Sequence, residues 1–239
     1  NNGLLMVPNL LTRMYSYQQE PITAVEVMQK GMLFAGTASH RLLSFQTASN
    51  RFTSLYKGPA NHEILHIYHN PQKQETFLCS DRITQLKNFS LDHEYLVAGK
   101  NVEPLGNHLY AYAFANGFGF INTARNDTFS LPPDFTFFAG VNKKVGRGRW
   151  VLYDNSRRTL WVASSEGLNY FSPDEKGELT FNYQPVFASS LLKQGSDVYL
   201  TTYNQGVLVV DSNFFIKTVV PFSADDNIYK LQVTGQEVW

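Results

Sequence analysis

Apolar residues along this chain fall in short blocks separated by polar turns, and the clearest instance is Thr159–Asp174, TLWVASSEGLNYFSPD. Leu160–Ala163 is apolar on consecutive positions, as a strand buried on both faces requires. Ser164–Glu166 is polar, and Gly167 suits a tight turn because it carries no Cβ. Leu168–Phe171 then reads as a second strand. No stretch keeps a helical spacing of apolar residues over three turns. The pattern predicts an all-β chain.

The same phrase recurs. Val198–Val210 repeats it forward, with Gly206 in the place of Gly167, and Leu109–Ile121 repeats it backward, with Gly117. Leu33–Phe45 and Thr76–Leu86 fit the period with Arg41 and Arg82 where glycine stood, so the turn there must differ. A repeat of about 40 residues built from short strands is the signature of a β-propeller of four-stranded antiparallel blades. In the copy around Gly167 the strands are predicted at Trp150–Tyr153, Leu160–Ala163, Leu168–Phe171 and Leu179–Asn182. In the next copy they fall at Ser189–Leu192, Val198–Thr202, Val207–Val210 and Phe215–Val219.

The ends complement each other. Ile228–Val233 and Glu237–Trp239 read as the first two strands of a blade, Leu4–Val7 and Leu11–Tyr15 as the last two. The expectation is one propeller domain over residues 1–239, about six blades, with residues 1–20 completing the blade begun at 225–239. An arc of a larger ring is the alternative. The chain opens and closes in mid-pattern, as a piece of a larger protein would.

Composition narrows the partners. Formal net charge is zero, with charged residues at 17% and aromatic residues at 14%. That balance gives no electrostatic case for nucleic acid or an anionic membrane. A lone Cys79 excludes an internal disulfide and a cysteine-based metal site. No apolar run approaches the ~18 residues needed to cross a bilayer as a helix.

One motif invites a metal. His62-Glu-Ile-Leu-His66 matches H-E-x-x-H, whose chemistry needs a helix so that both imidazoles share a face. Here it lies between Gly58-Pro59 and Asn70-Pro71, in the slot of an inner strand anchored by Ile64. On a strand the two histidines stand about 13 Å apart, too far to chelate one ion. No metal or cofactor is therefore expected. Asp92-His-Glu94 and Asp225-Asp226 read as turn acids. Asn142–Arg149 reads as a basic, Gly-containing connection; it has the donors to cradle a sulfate or phosphate, but without a strand–loop–helix context a solvated loop is the reading taken. Trp161, Tyr199 and Trp239 share one strand position and are assigned to packing between blades.

Leu160-Trp-Val-Ala-Ser-Ser-Glu-Gly-Leu-Asn-Tyr170 resembles the "LWIGT-x-x-GL" repeat of the two-component regulator propellers, and Val198–Val207 and Asp226–Trp239 are similar to the same family. The match is good over residues 150–239 and rests on period alone before that. The resemblance implies the periplasmic sensor region of a bacterial hybrid histidine kinase, detecting a glycan or glycan fragment, with self-association in the full-length protein. It implies no enzyme in this domain and no catalytic residues.

In a propeller the loops between the second and third strands share a face with the connections between blades. That topology nominates His40, Arg41, Asp81, Arg82, Asn116, Ser165, Glu166, Tyr203, Asn204 and Gln205 as ligand-binding candidates. Mixed hydrogen-bonding groups beside an aromatic ring suit an oligosaccharide, neutral or mildly acidic, or another small polar ligand. Ordinary solvation of loops accounts for any one of them taken singly. The competing functions are a propeller lyase or hydrolase and a protein-interaction propeller. The former lacks a convergent acid, base and metal set; the latter lacks the Trp-Asp and Gly-His signatures.

Overall fold

Second-strand positions that are apolar without alternation find both faces covered. In a computed structural model, described for residues 17–29, 31–58, 62–106, 108–129, 145–173, 179–220, 233–234 and 237–238, all six residues of Thr159–Ser164 and all five of Glu75–Cys79 are buried. The chain divides into two units, one ending at Ile64 and the other beginning at Leu65.

The first unit holds one antiparallel sheet of Ile22–Gln29 (β1), Met32–Thr37 (β2), Arg41–Gln46 (β3) and Arg51–Lys57 (β4), in that order. Its core is Phe34, Ala35, Leu42, Leu43, Phe45 and Ile64.

The second unit repeats the sheet four times. The strands are His66–Asn70 (β5), Glu75–Cys79 (β6), Ile83–Lys87 (β7) and Ser90–Tyr95 (β8); Asn101–Gly106 (β9), Leu109–Phe114 (β10), Gly117–Asn122 (β11) and Asp127–Phe129 (β12). Then come Gly148–Asp154 (β13), Thr159–Ser164 (β14), Leu168–Pro173 (β15) and Leu179–Gln184 (β16); and Ala188–Gln194 (β17), Asp197–Thr202 (β18), Val207–Val210 (β19) and Ile216–Val220 (β20). Each sheet is an up-and-down meander, and the first strands of successive sheets touch: β5 lies against β9, β9 against β13, and β13 against β17. That is a β-propeller. Among the described residues there are five four-stranded blades, one in the first unit and four in the second. Val233–Thr234 (β21) and Glu237–Val238 (β22) form a further antiparallel pair. The strands expected at residues 4–15, and with them the closing blade, lie outside the described residues, as does Trp239.

The core sits between blades, as two packed sheets require. Phe77, Ile83 and Tyr95 meet Val102, Tyr110 and Ile121; Phe118 and Phe120 meet Val162 and Phe171; Trp161 and Leu168 meet Leu191, Leu200 and Leu208. Trp161 is wholly buried, its ring 4.8 Å from that of Tyr170 and 5.6 Å from that of Phe214. Tyr199, at the equivalent position, is only half-buried.

Polar side chains also join blades. Buried Asn101 on β9 reaches β13: its Nδ2 donates to Val151 O at 2.8 Å, and its Oδ1 accepts the Val151 N–H at 3.0 Å. One amide thus satisfies both backbone groups of a residue 50 positions away. Asn101→Ala leaves that buried pair unmatched, and an unfolding free energy lower by about 2–4 kcal/mol is expected in urea denaturation. An unchanged midpoint would show that water replaces the amide.

Two sequence expectations change. The H-E-x-x-H stretch is not a strand throughout. Residues 62–65 are irregular and only His66 enters β5, because the Ile64 N–H bonds Thr37 O within the first unit and the Leu65 N–H bonds Cys79 O within the second. Ile64 is nonetheless buried, as an anchor should be. Asp92-His-Glu94 lies on β8 rather than in a turn, since the hairpin reverses earlier, at Asn88 and Phe89, which take φ of 50° and 60°.

Candidate functional site

Most second strands of the blades end on a buried hydroxyl or are followed directly by one: Thr37, Ser164 and Thr202 end their strands, and Ser80 follows β6. A hydroxyl donates one hydrogen bond and accepts others, and here that capacity folds the following loop. Ser164 Oγ donates to Gly167 O at 2.9 Å and accepts the Glu166 and Gly167 N–H groups at 3.2 and 3.3 Å. Thr202 Oγ1 donates to Gly206 O at 2.7 Å and accepts the Gln205 N–H at 2.9 Å. Gly167 takes φ of 146°, and a Cβ there would stand 2.5 Å from Gln184 O, so glycine is required twice over. Where glycine is absent the loop changes as expected: His40 takes the left-handed φ of 60°, and the Arg41 N–H bonds Thr37 Oγ1 at 3.1 Å.

These latches hold the loops against the connections between blades. The Ser165 N–H donates to Arg147 O at 2.9 Å, and Ser165 Oγ accepts the Arg147 N–H at 3.0 Å. The Tyr203 N–H donates to Phe187 O at 3.3 Å. A pocket of about 280 Å³ opens between them, lined by Arg149, Ser164, Ser165, Phe187, Tyr203 and Asn204. The Arg149 guanidinium lies over the Tyr203 ring, 5.5 Å from its centroid. Phe187 is 42% exposed while its neighbour Val186 is buried, so the ring is turned outward at the rim.

Three of the nominated residues, Ser165, Tyr203 and Asn204, therefore share one pocket. Glu166 and Gln205 flank it in the same two loops; Glu166 O accepts the Tyr183 hydroxyl at 2.5 Å. Asp81 and Arg82 belong to the β6–β7 loop and do not line it; Arg82 Nη1 stands 3.4 Å from Glu94 Oε2. Asn116 is exposed in the β10–β11 turn. His40 and Arg41 belong to the first unit, where both have structural work. His40 is buried with Nδ1 3.1 Å from His62 O, and Arg41 Nε pairs with Glu20 Oε1 at 2.9 Å.

Arg149 and Phe187 were missed, whereas Ser164 belongs to the polar Ser164–Glu166 loop that the repeat singled out. Arg149 closes the basic run 142–149, of which Val145–Arg149 is described, and it sits inside β13 rather than in a loop. Phe187, the aromatic in the short Gln184-Pro-Val-Phe187 connection, was the legible signal.

Positive charge gathers behind Arg149. The Lys100 ammonium donates to Gly148 O. Burial, then the nearby charges of Arg149 and Arg147, bring its pKa down to about 8. Among the described residues no acid forms an ion pair with Lys100, Arg147 or Arg149, and no group of three His, Cys, Asp or Glu side chains is placed to hold a metal.

In sequence the chain matches no protein-family model and no curated protein. In structure it resembles the extracellular domain of BT4673 from B. thetaiotaomicron in two crystal structures. In one, described as a putative hybrid two component system, the TM-score is 0.72 at 13% identity, over 94% of this chain and 31% of that one. In the other, described as a putative one component system, it is 0.69 at 13% identity, over 90% and 30%. A chain of a nidogen/laminin complex matches at 0.60 and 12% identity, over 85% of this chain and 80% of that one. The likeness is one of fold. The chain spans under a third of the BT4673 domain's length.

Proposed function

We propose that this chain is an extracytoplasmic, non-catalytic sensor propeller of a two-component signalling protein, and that its pocket receives part of an oligosaccharide. The repeat's resemblance and the fold shared with an extracellular domain of such a system support the signalling role. The pocket between the β13–β16 and β17–β20 blades carries the ligand role: an outward Phe187 ring, a Tyr203 ring and hydrogen-bonding groups converge there. Aromatic faces stack on the apolar faces of sugar rings, while amides and hydroxyls match their alcohols.

Calorimetric titration of the domain with an oligosaccharide panel tests the reading. Phe187→Ala and Tyr203→Ala should each weaken binding roughly tenfold or more, about 1.4 kcal/mol, whereas Arg82→Ala, remote from the pocket, should leave it unchanged. Saccharide binding indifferent to Phe187 and Tyr203 would move the site elsewhere.

A further inference from the structure

Arg149 lines this pocket. Its Nε is shielded from water and, among the described residues, has no hydrogen-bond partner. A buried donor left unmatched is costly, and a guanidinium is a planar fork shaped for an oxyanion. Its guanidinium carbon lies 5.5 Å from the Tyr203 ring centroid, which places the charge beside the aromatic lining of the pocket.

The surroundings reinforce the charge. Burial first, and then the charges of Arg149 and Arg147, lower the pKa of Lys100, so both arginines stand near that ammonium. The described partner of Lys100 is a neutral carbonyl, Gly148 O. The carboxylate of the adjoining loop, Glu166, is exposed; its Oε1 stands 3.4 Å from Ser165 Oγ and, among the described residues, makes no ion pair with the three cations. Around it the pocket offers Asn204, whose exposed amide makes no side-chain hydrogen bond with described residues, and Phe187 at the rim. An arginine in the pocket lining beside two aromatic rings matches a sugar ring that carries its own negative charge.

We propose that the pocket is specific for an acidic saccharide, with Arg149 engaging a carboxylate or sulfate group while Phe187 and Tyr203 hold the ring that bears it. This rests on the saccharide reading above and narrows it. A uronic acid and a sulfated sugar present the same forked oxyanion, so the ligand panel must separate them.

The test is calorimetry of the purified domain with four probes: an oligogalacturonide, a sulfated neutral oligosaccharide, an uncharged oligosaccharide of equal length, and inorganic sulfate. At least one acidic oligosaccharide should bind roughly tenfold or more tightly than the uncharged one, and that advantage should shrink as salt is raised. Whichever acidic probe prevails identifies the charged group. Arg149→Gln and Arg149→Ala should lower the affinity for the acidic probe by roughly tenfold or more, to the level of the uncharged sugar, in variants whose circular dichroism matches the parent's. Arg149→Lys should recover part of it, because charge returns without the fork.

Equal binding of charged and uncharged oligosaccharides, unaffected by Arg149→Gln, would overturn the charge specificity and leave the saccharide reading standing. No binding of any oligosaccharide would remove both. Inorganic sulfate competing as well as the acidic sugar would reduce the site to an ion site and overturn the proposal.

Discussion

Replacing Asp154 by alanine should lower the stability of the domain by about 3–5 kcal/mol, the usual cost of breaking a buried, hydrogen-bonded charge. Asp154 ends β13 with its side chain wholly buried. Its Oδ1 accepts the Ser156 N–H at 3.0 Å, the Ser156 hydroxyl at 2.6 Å and the Arg157 N–H at 3.3 Å, which fixes the turn into β14. It also accepts the Lys193 ammonium from β17, so one carboxylate both shapes a turn and joins two blades. Oδ2 faces Arg157 Nε at 3.6 Å, an ion pair longer than a hydrogen bond. Burial acts to raise this carboxyl's pKa, but the hydrogen bonds from Lys193, Ser156 and Arg157 prevail and hold it below its ordinary value. The stabilisation is therefore complete above the unfolded carboxyl value near ~4 and disappears as pH falls through the lower folded value. Urea midpoints from neutral pH to pH 3 should fall more steeply for the parent than for Asp154→Asn, which starts lower. Parallel curves would exclude the carboxylate's charge from the stability of this joint.

Glu103→Gln should act in the opposite direction, raising stability at pH 8 by up to about 5 kcal/mol. Glu103 lies on β9 and keeps little accessible surface; Oε1 accepts the Tyr153 N–H of β13 at 3.2 Å. Burial drives its carboxyl up to about 8, and the Tyr153 bond offsets only part of that. The folded chain therefore holds a proton that the unfolded chain releases near ~4.3. Stability should decline as pH rises from that value to about 8 and level off beyond it. Glutamine keeps the acceptor and cannot ionise, so the decline should vanish and the gain over the parent should be largest at the alkaline end. Thermal melts of both proteins from pH 5 to pH 9 check this. A parent whose melting temperature is flat across that range would mean that solvent reaches the carboxyl.

The blades were legible because strand burial leaves a local trace. Leu160–Ala163, expected as a strand without alternation, is the centre of fully buried β14, and Val207–Val210 is β19 with the expected bounds. Other strands are longer than expected, such as β13, which starts at Gly148 rather than Trp150, because ladder pairing extends beyond the apolar run. The hydroxyl latches were also written in the repeat, at Ser164 and Thr202. Their role became visible only with the hydrogen bonds that close each loop.

The candidate site was legible in halves. Loop chemistry pointed to Ser165, Tyr203 and Asn204, which do share a pocket, and equally to His40, whose burial against Gly58 and His62 removes it from solvent. Nothing in a list of loops distinguishes a side chain that faces water from one that plugs its own blade.

The sequence alone determined that this protein is all-β, built of four-stranded blades on a period of about 40 residues, because short apolar runs, turn residues and repetition are properties of neighbours along a chain. The tertiary structure alone decided which residues meet. Arg149, Phe187 and Tyr203 come from β13, from the connection before β17 and from the loop after β18, and Asn101 finds Val151 on the next blade. Such meetings depend on how one twisted sheet packs on the next, a relation between distant segments that leaves no periodic mark in either.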